Sequence, residues 1–229
     1  MALQNILPDP NHGISHAGID STAAYGPGYA SVKLSSEQKV LKDRTNGGSL
    51  FTRARDYHMW NIDITYNPLT KTDFETIYAF LAQYQASLKP FYVSLPQYRG
   101  LSNNLTTGAT GTGGDNQLTT NVNGTAPTPG QIFHISDSSN PLHTKTYQIT
   151  RVETGSTTHD LAPETSPDPS GSQLRLTFLP KLKDTVSSGK SVVLNSPLIR
   201  VVLASDINAY TLDSNGLYKY SIRLEEACF

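Results

Sequence analysis

Residues 60–96 read WNIDITYNPLTKTDFETIYAFLAQYQASLKPFYVSLP, the one place in the chain where strand, cap, helix and strand signals follow one another unbroken. Trp60, Ile62, Ile64 and Tyr66 alternate with Asn61, Asp63 and Thr65, the period-2 pattern of a strand with one buried and one wet face. Asn67 and Pro68 end it. Thr70 stands where an N-cap belongs, with Asp73 three residues on to answer it and to favour the positive helix end. The spacing predicts a helix near 71–87. Its stripe is Phe74, Ile77, Tyr78, Leu81, Tyr84 and Leu88, with Lys71, Glu75, Gln83 and Gln85 toward water. A helix of this length is marginal alone in water, so it needs a sheet to lie on. Pro90 closes it, and Phe91, Val93 and Leu95 begin another alternating strand that stops at Pro96.

Upstream, residues 1–28 carry Pro8, Pro10, Gly13, Gly26 and Pro27 with little periodicity, which reads as an extended arm or a frayed end. Residues 29–34 and 38–42 read as two strands, and Asn46-Gly47-Gly48 is a turn signal before Phe51 and the Arg53/Arg55 pair. Downstream, residues 101–130 are mostly Gly, Thr, Asn and Pro, which predicts a long flexible loop at 103–130. Strands resume at 131–136, 145–152, 173–178 and 191–194, divided by turn-rich gaps. The alternation then returns, with Leu198, Val201, Val202 and Leu203, then Ile207, Tyr210 and Leu212, and last Tyr218, Tyr220, Ile222 and Leu224.

The expected fold is therefore mainly β: a β-sandwich-like domain with one packed α-helix, and an inserted small antiparallel β-barrel or sandwich module. The first domain takes residues 1–100 plus 197–229. The inserted module takes 101–196.

The 18 Lys and Arg against 19 Asp and Glu leave a net charge of −1, and the cations are scattered. That argues against a nucleic-acid or anionic-membrane partner. The densest basic run, Lys39 to Arg44, lacks interleaved aromatics and reads as a solvated edge strand. One cysteine, Cys228, excludes an intrachain disulfide and fits a reducing cytosol. No apolar run reaches membrane-span length, and no signal peptide is seen at the N-terminus. The sequons at Asn104 and Asn123 then read as chance matches.

No catalytic, cofactor-binding or metal residues are assigned. Ser188-Gly189-Lys190-Ser191 has the tail of a phosphate-binding loop, but Asp184 stands where the first glycine belongs and no helix pattern follows. His12 and His16 are four apart around Gly13, without a helical stripe. His58, His134, His143 and His159 are scattered, with no ligand-spaced partners. Asp160 with Glu164 and Glu225 with Glu226 are the close carboxylate pairs; the latter two alternate to opposite strand faces, poor geometry for shared acid–base work. No nucleophile elbow is present.

Taken in order, the residues from Arg53 to Trp60, WNIDITYNPLT, the helix DFETIYAFLAQYQ, KPFYVSLP, TYQITRV, LRLTFLPKLKDTVSSGKSVVLNSPLIRVVLASD and the closing YKYSIRLEEA resemble bacteriophage distal tail or tail-tip proteins over residues 50–229. That resemblance implies a non-enzymatic virion protein without a cofactor, assembled in the host cytoplasm. It implies a ring, often hexameric, at the end of the tail tube, with the tube protein and the hub or baseplate as partners. A neighbouring tube-end or connector protein is the nearest alternative. A carbohydrate-binding or adhesin module is another, which exposed aromatic platforms would distinguish; Tyr66, Tyr78, Tyr84, Tyr218 and Tyr220 instead lie in patterns expected of a core.

Overall fold

The structure is a computed structural model that describes residues 5–9, 14–15, 18–19, 29–84, 87–101, 105–141, 143–154, 169, 171–206 and 209–227. Along the chain, β1 (Ile14–Ser15) pairs with β2 (Gly18–Ile19), and β3 (Tyr29–Arg44) forms a long hairpin with β4 (Leu50–Tyr66). Next come α1 (Lys71–Gln83), β5 (Phe91–Ser94) and a single 3-10 turn at Pro96–Tyr98. Then follow β6 (Leu105–Thr107), β7 (Gln117–Val122), β8 (Ile132–Ser136), β9 (Thr146–Thr154), β10 (Gln173–Leu179) and β11 (Ser191–Val193). The last strands are β12 (Leu198–Leu203), β13 (Tyr210–Leu212) and β14 (Tyr218–Glu226). The chain divides into two compact units, one from the segments up to Ser94 and from Arg200 on, the other Leu95–Ile199.

The first unit is a six-stranded sheet in the order β3-β4-β14-β12-β5, with β13 attached to β14. β4 pairs antiparallel with β14 so that Ile64 faces Ile222 and Ile62 faces Leu224. These cross-strand apolar pairs on one face are what the alternation in the sequence encodes. Onto this unit packs α1. Thr70 caps it, its Oγ1 accepting from the Asp73 N–H at 3.4 Å, while the hydroxyl donates to the Asp73 carboxylate at 2.7 Å. Phe74 stacks on Tyr218 with ring centroids 4.4 Å apart and stands edge-on to Tyr220. Phe80 and Tyr84 stand edge-on to Phe91 of β5.

The second unit is a closed barrel, β10-β7-β6-β11-β8-β9, antiparallel at every junction. Full closure removes the unpaired edges that an open sheet of this size would carry. Phe133, Tyr147 and Phe178 meet at its centre, with Leu118, Leu176, Val186 and Val192 around them.

Three readings of the sequence need correction, and a fourth, the arm or frayed end, resolves to an arm over its described part. The expected flexible loop at 103–130 supplies two barrel strands, β6 and β7. Its threonines fill buried positions because they are β-branched and their hydroxyls find backbone partners. Thr107 Oγ1 donates to Ser187 O and accepts from Lys190 N, both at 2.8 Å, and Thr120 Oγ1 donates to Leu174 O at 3.3 Å. The two strands read at 29–34 and 38–42 are one, since the irregularity between Gln38 and Val40 bends the ladder without ending it. The helix stops at Gln83, short of 87: Leu88 is 70% exposed and Tyr78 36%, whereas Phe80, absent from the predicted stripe, is buried. The described part of the arm, residues 5–9, is no loose end: Leu7 N donates to Tyr92 O and Tyr92 N to Asn5 O, both at 2.7 Å, and Ile6 and Leu7 are fully buried.

Candidate assembly surfaces

The chemical candidates raised by the sequence do not converge. Gly189 turns the chain into β11, and Lys190, which a phosphate loop would aim at its ligand, instead holds Asp137 Oδ1 at 2.7 Å and Ser139 Oγ at 2.8 Å. These contacts hold the Asp137 carboxyl below its usual range, the Lys190 hydrogen bond first among the causes. Glu226 is buried and accepts from the Trp60 N–H at 3.1 Å, while Glu225 is its neighbour across the strand pleat. His58 pairs with Ser36 Oγ at 3.0 Å on the β3–β4 hairpin. His12, His16, His159, Asp160, Glu164, Asn104 and Cys228 lie outside the described residues. Among the described residues no three His, Cys, Asp or Glu gather as a metal site, and no helix is long and apolar enough to cross a membrane.

The two barrel histidines do fixed structural work. His134 Nδ1 accepts from the Leu198 N–H at 3.2 Å, and burial first, then the nearby His143, lowers its pKa to about 4. His143 Nε2 lies 2.8 Å from Tyr147 Oη, which also accepts from Lys183 N at 3.0 Å. Burial lowers His143 too, against the opposing pull of Asp184 and Asp137. Both rings therefore pack as neutral imidazoles.

Two surface features of the first unit stand out more. The distal half of the β3–β4 hairpin is a two-stranded ribbon that exposes Val40, Leu41, Leu50 and Phe51, from 45% for Val40 to 62% for Phe51. At its tip Thr45 N donates to Ser49 O and Gly48 N to Thr45 O, with Gly48 at φ 84°, a left-handed turn position that glycine adopts without strain. Neighbouring residues on a strand point to opposite faces, so Val40-Leu41 and Leu50-Phe51 make both faces of the ribbon apolar. Those two adjacent apolar pairs were the available signal: one member of each had to point away from any single core. A two-stranded ribbon is marginally stable on its own.

The other feature is an aromatic patch where α1 meets β13 and β14. Tyr210 and Leu212 are 50% and 53% exposed, and Tyr78 is 36% exposed beside them. Tyr210 packs against Phe74 at 4.8 Å, Tyr218 at 5.7 Å and Tyr78 at 5.9 Å between ring centroids. The sequence pattern predicts core positions for Tyr78 and Tyr218, yet Tyr78 is exposed and Tyr218 half-buried. Beside the patch, Lys71 pairs with Glu75 at 3.8 Å and Lys219 with Asp213 at 4.0 Å.

Against known proteins, residues 7–98 match the family described as "Distal tail protein pb9, A domain, N-terminal". The whole chain is similar to distal tail protein pb9 of Escherichia phage T5, 26% identical over 231 aligned positions that cover 96% of this chain and 98% of that protein. The matched segment holds β3, β4, α1 and β5, the elements on which the apolar ribbon and the helix side of the aromatic patch are built. In sequence this mainly β chain is thus similar, along nearly its whole length, to a phage distal tail protein.

Proposed function

We propose that the protein is a structural, non-enzymatic subunit of a phage tail tip, located in the virion tail and assembled in the host cytoplasm. It forms a closed homo-oligomeric ring, hexameric by the resemblance, at the end of the tail tube, and joins the tube to the hub or baseplate. The domain made by 1–100 and 197–229 builds the ring, and the module at 101–196 faces another tail component. Similarity to a distal tail protein over 96% of the chain supports the tail-tip role. The observation that carries self-assembly is the ribbon: exposed apolar side chains on both faces of a strand pair are a liability unless another chain covers them. β3 also ends the sheet order, leaving an outer edge that no described strand pairs.

An image reconstruction of the intact particle tests this reading. A ring of this chain between tube and hub is the expected result; isolated copies with free strand edges, or absence from the tail, overturn it. The exposed rings of Tyr78 and Tyr210 give a carbohydrate-binding reading one supporting observation. Retention of the purified chain on a glycan array, lost in Tyr210→Ala, would establish it.

A further inference from the structure

We propose that the apolar tip of the β3–β4 ribbon of one copy seats on the Tyr78/Tyr210/Leu212 patch of the next copy. The inference rests on the ring reading and names the two surfaces that make the contact. The ribbon and the patch belong to the same unit but stand at opposite ends of β4. Residues 50–54 pair with 40–44 at the ribbon end, whereas Tyr218 bridges to Leu69 just beyond Tyr66 at the other. Sixteen strand steps separate Leu50 from Tyr66, about 54 Å when extended. In this structure the ribbon tip therefore lies far from its own patch, and a neighbouring copy supplies the surface it can reach.

The two surfaces are complementary. Leu41 and Phe51 share one face of the ribbon tip, and Val40 and Leu50 the other, so either face offers two large apolar side chains to a surface that exposes two tyrosines and a leucine. Residues 37–53 hold four cations, Lys39, Lys42, Arg44 and Arg53, against two anions, Asp43 and Glu37, the latter paired with Lys39 at 3.7 Å. Around the patch three carboxylates, Asp73, Glu75 and Asp213, face two lysines already engaged in ion pairs. A basic ribbon thus meets a slightly acidic seat, which favours this pairing over ribbon against ribbon. Because the contact joins two different surfaces, it is heterologous. Each subunit keeps one free donor and one free acceptor until rotation closes the ring.

Site-directed cross-linking in tails assembled from the full-length chain tests this. Phe51→Cys and Tyr210→Cys are placed together, with Cys228→Ser to remove the native thiol. Phe51 and Tyr210 are 62% and 50% exposed, so both thiols are open to oxidation before assembly. Mild oxidation is expected to give a covalent ladder on non-reducing gels that ends at the full ring, and each single-cysteine variant at least tenfold less dimer. A ring seen by imaging without the 51–210 link, or with a 51–51 link in the Phe51→Cys variant alone, overturns the pairing and leaves the ring reading standing. Tails in which this chain has no neighbouring copy overturn both.

Discussion

β4 and β7 bury their side chains by different means. On β4 the buried face is Trp60, Ile62, Ile64 and Tyr66, and the polar residues between them look outward. On β7, QLTTNV, the first four residues are all buried, and only Leu118 among them is apolar. Leu118 joins the barrel core, while Thr119 lies opposite Arg175, which in turn lies opposite Glu153, a buried polar row across three strands. Arg175 Nη1 and Glu153 Oε2 are 3.5 Å apart, and Arg151 Nε reaches Glu153 Oε1 at 2.9 Å. The first strand is held by water's exclusion of hydrocarbon, the second by polar groups that remain partnered when covered. A substitution that breaks a partnership should thus hurt β6 and β7, and one that adds charge should hurt the β4–α1 layer most.

The largest expected effect is at Leu81, which is fully buried where α1 meets the rest of its unit. Leu81→Asp places a carboxylate there without a partner, a change in the exceptional class above about 4 kcal/mol. Trp60 is the single tryptophan and lies in this same unit, so its fluorescence reports the layer directly. The variant should show no cooperative fluorescence transition and little soluble protein. A wild-type melt would mean that the helix does not carry the layer.

Acid comes next, and it acts on the barrel. His134 is held neutral by burial, with its pKa lowered to about 4 from an ordinary 6.5. A depressed folded pKa means that the unfolded chain binds the proton more readily. The stability from this group is complete above about pH 6.5, declines as pH falls, and reaches its floor near pH 4. Full loss amounts to roughly 3 kcal/mol. Protonation also turns Nδ1 from an acceptor into a donor facing the Leu198 N–H. Protection factors of barrel amides, with the intrinsic exchange rate at each pH divided out, should fall between pH 7 and pH 4.5. His134→Gln, whose amide oxygen can still accept from Leu198, should flatten that dependence; an unchanged slope would assign the effect elsewhere.

Thr107→Val isolates the partnered-polar mechanism. Shape is nearly kept, but Lys190 N loses its acceptor and Ser187 O its donor. Each of these partly covered hydrogen bonds is worth about 0.5–1.5 kcal/mol. Faster exchange in β6 and β11 is the expected signature. Stability equal to wild type would show that burial of the methyl groups alone holds these strands.

The same contrast explains what could be read in advance. The cap at Thr70, the strands around it and the buried Phe74, Ile77 and Leu81 were legible because period and hydropathy agree there. The barrel's first strands were not, because hydropathy scores threonine as polar without seeing the backbone partner that satisfies it. Gly111 was equally hidden: a Cβ there would lie 2.8 Å from Leu118 Cδ1 and 3.0 Å from Leu182 Cδ2. A side chain there would have to displace a buried leucine methyl, whereas a loop reading takes the glycine for slack. On the assembly surfaces, Phe51 was noted only as following a turn, and the exposure of Tyr210 and Leu212 depends on β13 lying at the side of β14, a tertiary fact.

The smallest expected effect is at Leu88, and it separates the helical period from the helix itself. Continuing the stripe by fours from Phe80 and Tyr84 brings Leu88 to the buried side. The chain, however, leaves helical geometry after Gln83, and the Lys89 N–H closes back onto Tyr84 O at 3.2 Å. Leu88, 70% exposed, leaves the buried side and meets water. Leu88→Ser should therefore shift stability by no more than about 0.5 kcal/mol. Leu81→Ala, seven residues earlier on the same nominal stripe, should cost about 2–5 kcal/mol. Denaturant midpoints of the two variants, followed by Trp60 fluorescence, give the comparison. If Leu88→Ser loses as much as Leu81→Ala, the helix continues past Gln83 in solution and the stripe read from the sequence is the true one.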